Sequence, residues 1–453
     1  MDPIGAAIVG LPFAAVVVLS LMAAHLRLLR GRRAEVLLAA SVGFVALLSP
    51  MPDALCLAIM AATGLGVTAV LQRRPAGWLL GAGIALVITE FLAARQVLPW
   101  TVLGVGPTIG LSYLMFRLIH MMVDAQTGEL PPEIRLRDRV CFLFCYLTFL
   151  AGPVARVQEF AAELARPARG GLREALTDHG PEIVSGYLKA TVLAGAAMAC
   201  FGWSQGTALA APVRYAAEWA AFAAYLYFSF AGYSQVVRGI GGLSGLELPE
   251  NFDRPWAAPN FLELWSRWHI SLSEWFKLYM FNPVVKALIG RFGKPALIPY
   301  LGATGYFLTF FLMGLWHGIS LRFALYGLVL GAGVSVNKLY QAVMLKRLGR
   351  KRLNEVIRRP AYIALSRGLA VSFFILALGF LWMPPGESGL ADRAVGAALL
   401  TASVLVLSFL LPPLSRLGAW PPETRVVWMI EAVAVVVYLG AGGPVPPLIY
   451  VFF

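Results

Sequence analysis

Five histidines occur in 453 residues, and two stand in apolar, tryptophan-rich stretches. His269 lies in Trp265-Ser-Arg-Trp-His-Ile-Ser-Leu-Ser-Glu-Trp275, and His317 lies in Met313-Gly-Leu-Trp-His-Gly318. A titratable side chain at bilayer depth is costly unless it has a partner or a task. Imidazole titrates near neutrality, which suits it to general-base work. Gly314 and Gly318 flank His317 and allow another backbone or a thin substrate to approach. There the imidazole can take a proton from a hydroxyl and activate it toward a carbonyl carbon. The plainer alternative is a helix-end histidine bonded to a carbonyl or snorkelling to the interface. For His269 the plainer alternative is a core histidine bonded to nearby backbone. Its place among aromatic residues, beside Arg267 and Ser271, favours a role in orienting substrate or tuning the protonation of His317. Metal binding by the pair needs at least a third ligand. No acidic residue or cysteine is spaced to supply it, so no metal is expected.

The elements that must position these groups follow from spacing. A helix is expected to begin near Asn260 or Phe261. At about 100° per residue, Trp265, Trp268, Leu272, Trp275, Phe276 and Tyr279 fall on one arc, with His269 inside it. Glu263, Arg267, Glu274 and Lys277 fall opposite, so the helix reads as amphipathic rather than spanning. Before it, Gly239, Gly241, Gly242, Gly245, Pro249 and Pro255 predict irregular backbone. The stretches Gly232-Tyr-Ser-Gln-Val-Val-Arg238 and Leu248-Pro-Glu-Asn-Phe-Asp-Arg-Pro-Trp256 bring further polar groups toward the histidines. They form either an ordinary capped turn, or the floor of a pocket or a donor entry, with Tyr233, Asn251 and Asp253 as its candidate contacts.

The rest of the chain is membrane-like throughout. It is 59% hydrophobic and 13% charged, against roughly 25% charged in soluble domains. Apolar runs read as spans near 4–26, 35–50, 55–71, 76–97, 101–123, 181–203, 213–237, 296–317, 321–344, 361–383, 391–412 and 426–453, the last interrupted at Gly440–Pro447. About eleven or twelve spans are therefore expected, in one continuous membrane domain over 1–453. The piece Cys141–Pro153 is too short to span and reads as re-entrant or interfacial. The start Met1-Asp-Pro-Ile lacks a basic signal-peptide region, and Arg27 follows the apolar run, so the first segment is expected to stay as a helix.

A net charge of +13 raises nucleic acid or anionic lipid as partners, but the basic residues fall in short loops between spans. Arg27, Arg30, Arg32, Arg33, Arg73, Arg74, Lys346, Arg347, Arg350, Lys351 and Arg352 alternate to one side. The positive-inside rule makes that side cytoplasmic and the N-terminus extracytoplasmic, with membrane lipid rather than nucleic acid as the partner. Cys56, Cys141, Cys145 and Cys200 lack metal-ligand spacing and read as small hydrophobes. Arg117, His120 and Asp124 share a helical face and suggest a local charge pair.

The motifs Phe230-Ala-Gly-Tyr-Ser234, Leu248–Trp256, Phe261–Ser273 and Gly314-Leu-Trp-His-Gly318, with Gly110-Leu-Ser-Tyr113 and Phe149-Leu-Ala-Gly-Pro153, resemble the membrane-bound O-acyltransferase (MBOAT) family over about residues 100–345. The bacterial branch concerned with alginate O-acetylation and teichoic-acid D-alanylation is the most similar. The resemblance implies an all-α polytopic membrane protein with re-entrant and amphipathic helices around a central tunnel. It gives the main catalytic role to His317 and a supporting one to His269. Trp316 and Trp268 would wall the site, and Arg267, Ser271, Tyr233, Asn251 and Asp253 would contact substrate. Gln235 stands where that branch commonly has Asp.

The expected activity is acyl transfer, with acetyl as the expected group, from a thioester on coenzyme A or acyl carrier protein to a hydroxyl of an extracytoplasmic glycan. No permanently bound cofactor is implied. The expected setting is the bacterial inner membrane, with a carrier on the cytoplasmic side and a glycan or periplasmic partner acyltransferase outside. Two alternatives stay open: a lipid or protein acceptor, and a transporter or flippase using the histidines as proton carriers.

Overall fold

The computed structural model describes residues 11–26, 30–95, 110–166, 171–383, 389–410 and 425–440. The first ten residues, 101–109 of the fifth expected span and 441–447 of the expected break lie outside the described residues. Apolar runs of about 20 residues can satisfy their backbone groups in a bilayer only as helices. The described residues form helices without strands; their lone antiparallel bridge joins Phe252 to Trp268. Among the described residues seven helices are long and apolar enough to cross a membrane: Met51–Arg73, Gly77–Ala94, Leu172–Gly206, Pro295–His317, Leu321–Ile357, Pro360–Leu381 and Leu390–Leu410. Phe13–His25 and Val427–Gly440 are shorter apolar helices. Three other expected spans have a different character, one being Arg33–Leu48, 16 residues long with Arg33 and Glu35 in its first turn. Leu111–Thr127 is 17 residues long and carries Arg117, His120 and Asp124. Ala211–Leu243 is 33 residues long and carries Arg214, Glu218 and Arg238. All three are helical, but shorter or more polar than a helix bathed in lipid.

The contacts divide the chain into two compact units. The first comprises Met1–Thr191, Ser229–Glu250 and Trp428–Phe453. It holds helices α1 (Leu11–His25), α2 (Arg33–Leu48), α3 (Met51–Arg73), α4 (Gly77–Ala94) and α5 (Leu111–Thr127). Next come the short α6 (Leu136–Phe144), α7 (Tyr146–Phe149), α8 (Val157–Ala165) and α9 (Leu172–Tyr187). The expected re-entrant piece is α6 and α7, broken at Cys145. A break in apolar surroundings frees carbonyls that water cannot reach. The buried Arg117 guanidinium supplies the missing donors, bonding Phe142 O and Leu143 O, each at 2.7 Å, and Thr148 O at 2.5 Å. Arg117 is therefore not the charge partner of Asp124, while the Asp124 charge does act on His120, four residues earlier. Asp124 instead accepts from Arg156 at 2.8 Å, and His120 Nε2 accepts from Val157 N at 3.2 Å.

The irregular stretch begins later than the glycines suggest. Helix α11 (Ala211–Leu243), reached through α10 (Ala194–Gly206), runs past Gly239, Gly241 and Gly242. A Cβ at Gly232 would strike Ala190 N and Gly186 O, and one at Gly239 would strike Ile183. These glycines bring helix backbones together rather than breaking a helix.

The second unit comprises Val192–Phe228 and Asn251–Val427. It contains the short α12 (Phe261–Trp265), α13 (Ile270–Phe276) and α14 (Asn282–Phe292). These precede α15 (Ile298–His317), α16 (Leu321–Ile357), α17 (Pro360–Leu378) and α18 (Leu390–Leu410). The last described helix, α19 (Arg425–Gly440), runs from this unit into the first. Helices α15 and α16 form an antiparallel hairpin. A Cβ at Gly314 would run into the Gly327 backbone, and Ser335 Oγ donates to Ala303 O at 2.8 Å.

Candidate active site

The site is assembled from the turn of the α15–α16 hairpin and from a corner between α12 and α13. Asn260 begins α12 as its N-cap, with Oδ1 accepting from Glu263 N at 3.0 Å. Asn337, on α16, accepts from Leu262 N at 3.2 Å and holds that end in place. The expected continuous amphipathic helix is not formed. After Trp265 the chain turns, and His269 takes a left-handed conformation, φ 47°, as the N-cap of α13. Among described residues only His269 and Arg254 are non-glycine positions with positive φ. Such a conformation costs about 1–2 kcal/mol and persists where the surroundings enforce it.

Here the enforcing element is the segment 251–253. Ile270 N donates to Asn251 O at 3.0 Å, and Asp253 N to Arg267 O at 3.1 Å. Asn251 Oδ1 accepts from Ser271 Oγ at 2.6 Å and from Ser271 N at 3.3 Å. Phe252 bridges to Trp268 from the same segment. The predicted aromatic arc is nevertheless buried at Trp265, Trp268, Leu272, Trp275 and Phe276, because burial of large apolar surface is demanded whether or not the helix is continuous.

Trp268 is 1% exposed and sits among Phe374 (ring centroids 4.8 Å apart), Phe252 (5.1 Å) and Tyr227 (6.1 Å). On the predicted polar arc Arg267 meets Glu263 at 3.1 Å, and it also meets Asp253 at 3.6 Å. His269 is buried and lies outside every candidate span. Burial, and next the nearby charge of His317, push its pKa down to about 3. It is thus a neutral imidazole at ordinary pH.

His317 closes α15 and is buried. Its ring lies 4.6 Å from Trp316, 5.6 Å from Tyr326 and 6.2 Å from Phe323, centroid to centroid. The choice left open for the flanking glycines resolves to protein. Gly314 is filled by the α16 backbone, and a Cβ on Gly318 would meet the Phe323 ring. A cavity of about 240 Å³ lies under the corner, lined by Trp265, Ile270, Ser273 and Phe276 and by Tyr306, Phe310 and Met313 of α15. The stripe 306, 310, 313 continues by one further turn to His317.

All candidates but Tyr233 therefore lie in the second unit. Tyr233 lies in the first, where its hydroxyl donates to Leu147 O at 3.4 Å. Tyr227, Tyr326, Asn337 and Phe374 were not singled out from sequence. Asn337 carries a signal, a carboxamide inside an apolar run, whereas Phe374 has none to set it apart from other aromatic residues. Among the described residues no group of three His, Cys, Asp or Glu side chains is arranged to hold a metal ion.

Comparison with known proteins bears out the motif resemblance. Residues 203–387 match the model of MBOAT, the membrane-bound O-acyltransferase family. That segment contains both histidines and extends beyond the limit near 345 suggested by the motifs. The chain is 29% identical over 280 residues to the probable alginate O-acetylase AlgI of Pseudomonas fluorescens, covering 60% of this chain and 53% of that protein. It is 31% identical over 258 residues to the Pseudomonas syringae pv. tomato counterpart, covering 55% and 46%. The teichoic acid D-alanyltransferase of Streptococcus thermophilus is 31% identical over 265 residues, covering 53% and 61%. The chain spans about half the length of the curated relatives it matches.

Proposed function

We propose that this chain, an all-helical polytopic membrane protein with an MBOAT domain over residues 203–387, is an O-acyltransferase. It takes an acyl group, acetyl in the first instance, from a cytoplasmic thioester on coenzyme A or acyl carrier protein. It passes that group to a hydroxyl of an extracytoplasmic glycan. The observation that carries this reading is that two imidazoles of one unit, His317 at the end of α15 and His269 at the α12–α13 corner, are both buried within the segment that matches the acyltransferase family.

In the proposed step His317 accepts the proton of the acceptor hydroxyl, and the oxygen attacks the thioester carbonyl carbon. The tetrahedral intermediate then expels the thiolate, which recovers the proton from the His317 imidazolium. Protons and charge balance, so no net proton path is needed. His269, neutral, orients or polarises without competing for the proton. Trp268 and Trp316 exclude water that would otherwise hydrolyse the thioester. The 240 Å³ cavity along the stripe toward His317 supports an approach of the acyl arm along α15. The donor is consumed each turnover, so the reading needs no resident cofactor. The names of the relatives, an alginate O-acetylase and a teichoic acid D-alanyltransferase, support a polymeric acceptor. The proposed setting is the bacterial cytoplasmic membrane, and the proposed partner is periplasmic.

The test incubates purified protein with labelled acyl thioesters, wild type beside His317→Ala. Loss of turnover in the variant alone supports the reading. Equal turnover removes His317 from the chemistry.

A further inference from the structure

A second cavity, of about 600 Å³, opens where the start of α15, the later part of α16 and the start of α17 come together beside α14. It lies at the opposite end of α15 from His317, and that helix is 20 residues, about 30 Å, long. Its wall has two chemistries. Ile298, Leu345 and Ile357 line it and are also 47%, 48% and 41% exposed. Exposed apolar side chains on a membrane protein suit contact with lipid, and Ile298 and Leu345 give the cavity such an edge.

The other part of the wall is polar. Lys338 is half-buried, with the hydroxyls of Tyr340 and Tyr362 and the carboxamides of Asn337 and Gln341. None of the lining residues is acidic. A lone ammonium among hydroxyl and amide donors, with no carboxylate to neutralise it, selects an anion with several acceptor oxygens, which is the chemistry of a phosphate. Beyond the cavity Gly349 turns the chain at φ 70°, and the exposed Arg350, Lys351 and Arg352 follow. The positive-inside rule puts this end in the cytoplasmic leaflet, where anionic lipids concentrate.

We propose that this cavity binds an anionic phospholipid of the cytoplasmic leaflet, with its phosphate on Lys338. The proposal does not rest on the acyl-transfer reading, and its test does not use activity. A soluble phosphate such as that of coenzyme A shares the headgroup chemistry, and the test separates the two.

The test measures the thermal unfolding midpoint of the full chain in neutral detergent with phosphatidylglycerol, phosphatidylcholine or coenzyme A added. Phosphatidylglycerol should raise the midpoint more than phosphatidylcholine does. Lys338→Gln should weaken that preference roughly fivefold in apparent affinity. Gly302→Leu supplies a second arm: Gly302 lines the cavity, and a Cβ there meets nothing within 4 Å, so the side chain fills the space while every charge stays. It should remove the preference and leave the lipid-free midpoint in place. No preference in the wild type overturns the proposal. So does a preference that survives Gly302→Leu, which assigns it to the basic surface. A coenzyme A shift lost in Lys338→Gln, without a phosphatidylglycerol shift, also overturns it and assigns the cavity to a soluble phosphate. If either variant does not fold, mass spectrometry of lipid carried by the wild type decides, since absence of anionic phospholipid contradicts the site.

Discussion

Asn251 straddles the corner that carries His269: its Oδ1 accepts the Ser271 hydroxyl at 2.6 Å while its carbonyl accepts Ile270 N at 3.0 Å. One side chain and one peptide thus clamp the residue after the histidine and the residue after that. A histidine in the left-handed conformation is thereby held in a buried position.

The clamp predicts a graded response. Asn251→Ala leaves the Ser271 hydroxyl without its acceptor and should lower stability by about 1–3 kcal/mol, and Ser271→Ala by about 1 kcal/mol. Both should lower acyl transfer, Asn251→Ala more than tenfold. Thermal unfolding and thioester turnover measured side by side check this. If Asn251→Ala transfers at the wild-type rate while His269→Ala does not, the clamp does not position the imidazole.

Stability should carry the signature of a histidine buried as the neutral ring. The His269 pKa is about 3 in the folded chain, against 6.5 for the free side chain. Between these values the unfolded state binds the proton and the folded state does not, so stability rises with pH there. The contribution is fully present above about pH 6.5 and is lost as pH falls toward 3, at about 1.4 kcal/mol per pH unit. His269→Gln removes it. The variant's unfolding midpoint should fall less than the wild type's between pH 7 and pH 4.5, and parallel profiles would contradict the assignment.

Glycines of the two kinds should respond with opposite sign. Gly314→Ala puts a methyl into the Gly327 backbone and should push the α15–α16 hairpin apart, abolishing folded protein or costing several kcal/mol. At Gly66, inside α3, a Cβ meets nothing within 4 Å. Gly66→Ala should be neutral or stabilise by about 0.5–1 kcal/mol through helix propensity. Expression level and unfolding midpoint of the two variants decide the matter.

Arg117 should not tolerate replacement by lysine. Its guanidinium fork serves three carbonyls around the α6–α7 break, and an ammonium cannot reproduce that planar set. Both Arg117→Lys and Arg117→Met should destabilise by about 3 kcal/mol or more, since buried carbonyls are left without donors. Retention of the wild-type midpoint in Arg117→Lys would show that the fork is not needed.

Much was readable from residue order alone, for physical reasons. Hydropathy over a run of about 20 residues is a local property, so the helical membrane class and most span positions follow from it. The two histidine motifs are likewise local, and they marked both imidazoles. The aromatic demand of Trp265, Trp268, Trp275 and Phe276 was legible because burial depends on side-chain area. Only the tertiary structure decided how that burial is met. A helical wheel assumes one unbroken axis, whereas His269 resets the axis by adopting positive φ under bonds from Asn251, about 20 residues earlier in sequence. Gly239, Gly241 and Gly242 read as helix breakers because an isolated glycine weakens a helix, yet they serve close packing, and a packing partner is invisible in one dimension. For the same reason Arg117 looked like a member of a local charge cluster with His120 and Asp124 on one helical face. Its partners are carbonyls about 30 residues away, exposed by a chain break that only the fold creates.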